Sequence, residues 1–156
     1  PRSQQIVRTE IGRFEVQGGM WVEADTNVTG GESLVRQFLY GKRFFREEFG
    51  IDVRNLWLPD VFGYAGSLPQ IMKKCGADYF LTQKMSWNSI NKFPHQSFWW
   101  QGIDGTKVLA HMMPEETYNS PAAPRSLVNA VRNDVDLVHP YFMGHKAIEE
   151  ATASLA

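Results

Sequence analysis

The chain has 156 residues, which suits one domain or part of one. Hydrophobic residues make up 43% and aromatics 13%, enough for a real core and too many for a disordered chain. Sixteen basic and 17 acidic residues leave a net charge of -1, so there is no basic field to hold nucleic acid or an anionic membrane. Cys75 is the single cysteine; no intrachain disulfide can form, which favours a reducing compartment.

No apolar run approaches the length of a membrane span. The start, Pro1-Arg2-Ser3-Gln4-Gln5, has no initiator methionine and no apolar signal region, so the chain is expected to be a piece of something longer. Asn27-Val28-Thr29 is a glycosylation sequon, a triplet that also arises often by chance. The aromatic excess fits the stacking faces of a sugar site, and a packed core explains the same rings equally well.

In chain order, the first expected element is a short strand at Met20-Trp21-Val22, after Gly18-Gly19. Thr29-Gly30-Gly31-Glu32 has the spacing of a capping box. It predicts a helix with Leu34, Val35, Phe38, Leu39, Phe45 and Phe49 on its apolar side and Gly50 as its stop. Asn55-Leu56-Trp57-Leu58, bounded by Pro59, reads as a buried strand. Ser67-Leu68-Pro69-Gln70 is a second capping box, and its short helix ends with Lys73 and Lys74 before Gly76. Residues 78–83 form the next strand. Alternating strands and helices argue for a parallel sheet of the α/β class. Residues 97–103 and 106–111 then flank Asp104-Gly105, a strong hairpin signal. Residues 120–124 are loop, and 126–137 and 145–155 are expected to be helical.

Trp57-Leu58-Pro59-Asp60-Val61-Phe62-Gly63-Tyr64 carries the most chemistry. Asp60 falls just past the carboxyl end of a buried strand, where ligands bind in α/β proteins. Phe62 and Tyr64 would wall an apolar pocket. Asp is also a common turn former, and the residues alone leave that plainer reading open. The four histidines are His95, His111, His139 and His145. They show no spacing of a zinc site; His95 reads as a loop residue and His111 as buried and satisfied at a strand end. Tyr118 and Asn119 follow a strand, and a phenol suits sugar hydroxyls. The pairs Glu47-Glu48 and Glu149-Glu150 are solvated helix faces rather than catalytic dyads, because adjacent helical residues do not face one site.

These motifs together resemble glycoside hydrolase family 38, the retaining α-mannosidases, nearest to the cytosolic and vacuolar branch. The matching text is Gly18 to Asp25, Gly31 to Gln37, Trp57 to Tyr64, Leu68 to Ile71, Thr82 to Asn88, Phe93-Pro94-His95 and Gly102 to Gly105, all in order. The resemblance implies a β/α barrel-like catalytic domain over residues 1–124, with 125–156 a diverged, helical tail. It implies that Asp60 is both the nucleophile and a ligand of a divalent metal, usually zinc. Phe62 would line the mannose pocket, Tyr118 would contact substrate, and Lys84 stands where relatives often carry a basic residue near the nucleophile. The expected partner is a mannose-containing oligosaccharide, with no nucleic acid and no membrane. The expected compartment is the cytoplasm, with vacuole or lysosome as alternatives.

Retaining glycosidases use two carboxyl groups, a nucleophile and an acid/base. In the resembled family a His-x-Asp pair of metal ligands lies upstream of the matching text, and the acid/base aspartate lies in a glycine-rich segment downstream. Neither is found here, although Asp134 and Asp136 stand in the tail. The resemblance therefore supplies one of four metal ligands and one of two catalytic carboxyls. The expected function is that of a retaining α-mannosidase with an incomplete catalytic domain; the alternative is a non-catalytic or vestigial sugar-binding fragment.

Overall fold

The structure is a computed structural model, and it describes residues 16–87, 90, 93 and 95–113. The helices expected at 126–137 and 145–155 lie outside these, as do Tyr118, Asn119, His139 and His145.

The chain order is α1 (Gly31–Phe49), β1 (Asn55–Trp57), α2 (Leu68–Lys74), β2 (Tyr79–Thr82), a 3-10 turn (Lys84–Ser86), β3 (Ser97–Gln101) and β4 (Lys107–Met112). The four strands form one sheet in the order β1-β2-β4-β3. β1, β2 and β4 run parallel, and β3 pairs antiparallel with β4. The expected α/β class, the mostly parallel sheet and the hairpin are all present. Gly102 donates to the Thr106 carbonyl at 2.8 Å across the Asp104-Gly105 turn.

Burial follows position in the sheet. β2 lies between two parallel neighbours, and all four of its residues are buried. That continuous run is what a parallel strand covered on both faces requires. β3, at the edge, has no buried residue: Ser97, Phe98 and Trp100 are half-buried, and Trp99 and Gln101 are exposed. The main core joins Leu34 and Phe38 of α1, Leu56 of β1, Leu58, Leu68 and Met72 of α2, Phe80 of β2, and Val108 and Ala110 of β4.

Several expectations need correction. Residues 20–22 form no strand; Trp21 and Val22 instead donate their backbone N–H groups to Gln37 of α1, to its carbonyl and its Oε1, each at 2.9 Å. The two glycines before them allow that course. Gly19 has φ +91, and a Cβ there would lie 2.4 Å from the Asn55 carbonyl. On the other side, a Cβ on Gly41 of α1 would lie 2.4 Å from the Gly19 carbonyl. The segment is pressed between helix and strand, where only backbone fits.

The first capping box does not form. Gly30, not Thr29, is the N-cap, and no side chain caps the helix. Glu32 pairs instead with Arg36 one turn on, at 2.7 Å. At α2 the N-cap is Ser67 as expected and Pro69 sits in the first turn, but Ser67 has helical dihedrals and makes no side-chain cap bond. A capping side chain normally needs an extended backbone to reach back to the first free N–H groups. Val35 and Leu39 are exposed rather than inward. The packed stripe of α1 is Leu34, Phe38, Gly41 and Phe45, a narrow 4-3-4 spacing that leaves residues one position along turned about 100° away.

Candidate active site

Because β1, β2 and β4 are parallel, their carboxyl ends lie at one edge of the sheet. Asp60 follows the end of β1 by three residues, and Lys84 follows the end of β2 by two. The expectation that Asp60 stands beyond a strand's carboxyl end is met. Lys84 Nζ lies 3.0 Å from Asp60 Oδ1. The lysine side chain is only 6% exposed, while the carboxylate is 59% exposed. A cation buried along its stem thus delivers its charge to a carboxylate that faces outward.

Two rings flank this pair. Lys84 Nζ lies 4.3 Å from the Trp87 ring centre and 5.3 Å from that of Phe62. Phe62 and Trp87 meet edge to face, with centroids 5.5 Å apart. Both are more than half exposed, so each ring keeps surface open to solvent beside the lysine. Cation–π contact and the ion pair together fix the ammonium.

Below the loop, the Tyr64 hydroxyl donates to the Val61 carbonyl at 3.1 Å and hydrogen-bonds the buried Thr82 Oγ1. Burial pushes the Tyr64 phenol up to about 12, with a smaller upward push from the Glu23 carboxylate and a downward one from the Thr82 bond. Tyr64 packs on Phe80 and Trp100 and belongs to the floor of the loop rather than to an open pocket.

Glu23 is the residue that motif reading left without a role. Its Oε1 accepts the backbone N–H of Asp60 and, at 3.0 Å, that of Val61. Asn27, noted in the sequence for its sequon, donates Nδ2 to the Phe62 carbonyl at 3.2 Å. Thr26 Oγ1 accepts the Ala65 N–H at 3.2 Å. Trp87 likewise had no assigned role. Glu23 and Trp87 stand in the text that carried the family resemblance, and Thr26 and Asn27 directly after its first stretch. What that text does not show is that residues 37 or more positions apart meet.

His111 is buried in β4, and its Nδ1 bonds Ser97 Oγ at 2.8 Å across the hairpin, as expected of a satisfied core histidine. His95 is exposed in the loop before β3, its ring beside Phe93. Among the described residues, no three His, Cys, Asp or Glu side chains converge. Asp60 offers one carboxylate, and a cation already sits against one of its oxygens. The described residues therefore do not make a zinc site by themselves, since such sites gather three or four protein ligands.

The site thus gathers an exposed carboxylate, a cation and two exposed aromatic rings at the carboxyl edge of a parallel sheet. The family description "Glycosyl hydrolases family 38 N-terminal domain" matches residues 2–154, and the chain belongs to that family. Alpha-mannosidase G of Dictyostelium discoideum is 51% identical over 126 residues, covering 81% of this chain and 12% of that protein. Alpha-mannosidase 2C1 of Mus musculus is 49% identical over 125 residues, covering 80% of this chain and 12% of its own length. The chain thus spans about an eighth of these relatives. Among solved structures, an alpha-mannosidase from Enterococcus faecalis V583 aligns with a TM-score of 0.63, 18% identity and coverage of 99% of this chain and 20% of that one. That likeness speaks for the fold.

Proposed function

We propose that these residues are the nucleophile-bearing part of a retaining α-mannosidase that releases terminal α-linked mannose from glycans. The observation that carries the reading is the exposed Asp60 carboxylate held 3.0 Å from the buried-stem Lys84. The ammonium stabilises the ionised form, which is the form able to attack. Asp60 would form a bond to the anomeric carbon as the glycosidic C–O bond breaks, giving a mannosyl ester. The leaving oxygen takes a proton from an acid/base that lies outside the described residues. Water then hydrolyses the ester, with that same group now accepting the proton. As the Asp60 charge is consumed, Lys84 loses its ion-pair partner, and the Phe62 and Trp87 rings keep it in place.

Phe62 and Trp87 are proposed to offer apolar faces to the sugar ring, and Tyr118 to contact its hydroxyls. The four strands are read as an arc of a larger β/α barrel-like domain. A divalent ion, zinc in the first instance, is proposed as cofactor on the family resemblance, with Asp60 as one ligand and the others from outside the described residues. No step above depends on it. Cytoplasmic residence is the proposed setting, on the free Cys75 and the resemblance to the cytosolic branch.

In the complete protein, Asp60→Asn should lower turnover of an aryl α-mannoside by roughly 10³-fold or more while leaving the circular dichroism spectrum unchanged. A folded Asp60→Asn protein that retains turnover would remove Asp60 from the chemistry.

A further inference from the structure

The loop from Leu58 to Ala65 belongs to neither helix nor strand, so its backbone polar groups need partners from elsewhere. One short segment supplies four of them. Glu23 Oε1 accepts from the Asp60 and Val61 N–H groups, Asn27 Nδ2 donates to the Phe62 carbonyl, and Thr26 Oγ1 accepts from Ala65 N–H. Asp25 folds the segment, its Oδ1 accepting from Asn27 N–H at 2.8 Å and Val28 N–H at 3.1 Å. Gly63, with φ +87, completes the fit, since a Cβ there would lie 2.7 Å from Asn27 Nδ2.

We propose that Glu23 and Asn27 are positioning residues for Asp60, acting as a side-chain clamp that does for this loop what a neighbouring strand does for an edge. The inference rests on the reading of Asp60 as nucleophile. A carboxylate accepting two backbone N–H groups makes charge-assisted bonds, stronger than neutral ones. They fix the peptides on both sides of Asp60, while the Asn27 bond fixes the Phe62 carbonyl two residues on. Lys84 holds the carboxylate from the other side. Three directions of restraint define where the attacking oxygen stands, and displacement of about 1 Å can cost about 10²-fold in rate.

The clamp is tested in the complete protein by Glu23→Ala, Glu23→Gln and Asn27→Asp, with two readouts. In Glu23→Ala, hydrogen exchange at the Asp60 and Val61 amides should quicken by about tenfold or more while Phe80 and Leu81 in β2 stay protected. Its kcat should fall about 10–100-fold with KM within about threefold. Glu23→Gln keeps an acceptor oxygen and should restore most of both. Asn27→Asp, isosteric and exposed, turns an oxygen toward the Phe62 carbonyl and should lower kcat in the same way. Unchanged exchange at Asp60 and Val61 in Glu23→Ala overturns the proposal, as does parental kcat in both Glu23→Ala and Asn27→Asp. If the parent protein shows no mannosidase turnover, the reading of Asp60 falls, and exchange alone decides whether the clamp exists.

Discussion

Asp78 stands just before β2 and receives Arg54 from the start of β1 and Lys73 from the end of α2. Arg54 approaches through Nε at 3.0 Å and Nη2 at 2.6 Å, and Lys73 Nζ bonds the other carboxylate oxygen. Burial alone would raise this carboxyl, but the hydrogen bonds and charges of Lys73 and Arg54 outweigh it and hold Asp78 below the usual range. A depressed folded value contributes stability that is complete above the unfolded pKa of about 3.9 and is lost as pH falls through the folded value. Asp78→Asn should therefore lower stability by about 0.5–1 kcal/mol at neutral pH, and the difference should shrink in acid, as pH falls below the unfolded value of about 3.9. Urea denaturation at both pH values measures it; an equal deficit at both would make the role one of packing or neutral hydrogen bonding. At this scale the sequence is uneven to read. Asp60 is legible because its strand, proline and glycine lie within a few residues of it. Glu23 and Asn27 are not, because the partners they bond are 35 or more residues away and nothing local points to those partners.

α1 owes its place to one small residue. Glycine inside a helix is ordinarily unfavourable relative to alanine by about 0.5–1 kcal/mol, so replacing it should stabilise. At Gly41 the sign should reverse. An added Cβ would meet the Gly19 carbonyl at 2.4 Å, Met20 C at 2.5 Å and Trp21 N at 2.7 Å, all of them backbone atoms that cannot rotate aside. Gly41→Ala should cost about 1–3 kcal/mol in chemical denaturation, the usual range for overpacking. A more stable Gly41→Ala protein would contradict the close helix–loop contact. Elements themselves were readable: β1, α2, β2 and the hairpin fall within a residue or two of where pattern and turn chemistry put them. Two expectations fail. Thr29 has the right spacing for a cap that Gly30 takes instead. Gly18 to Val22 has the apolar look of a strand, but the N–H groups of Trp21 and Val22 bond Gln37 of α1, a tertiary contact that no local rule contains.

Across the whole molecule, the parallel sheet brings sequence-distant loops to one edge. Residues 23–27, 60–64 and 82–87 meet there, although no two of these segments adjoin in the chain. The family was legible because several long motifs recur in one order, while the convergence of those motifs on Asp60 needed the fold. The acid/base and further metal ligands belong to the reading of a complete enzyme, of whose relatives this chain spans about an eighth. The central claim is that Asp60 forms the covalent bond to the sugar. An activated fluorinated mannoside, which forms the glycosyl ester readily but releases it slowly, tests this when incubated with the complete protein and followed by peptide mass spectrometry. The account predicts one added sugar per protein, carried by the peptide that contains Asp60 and absent from Asp60→Asn. A stoichiometric label on any other residue, or one that persists in Asp60→Asn, would contradict it.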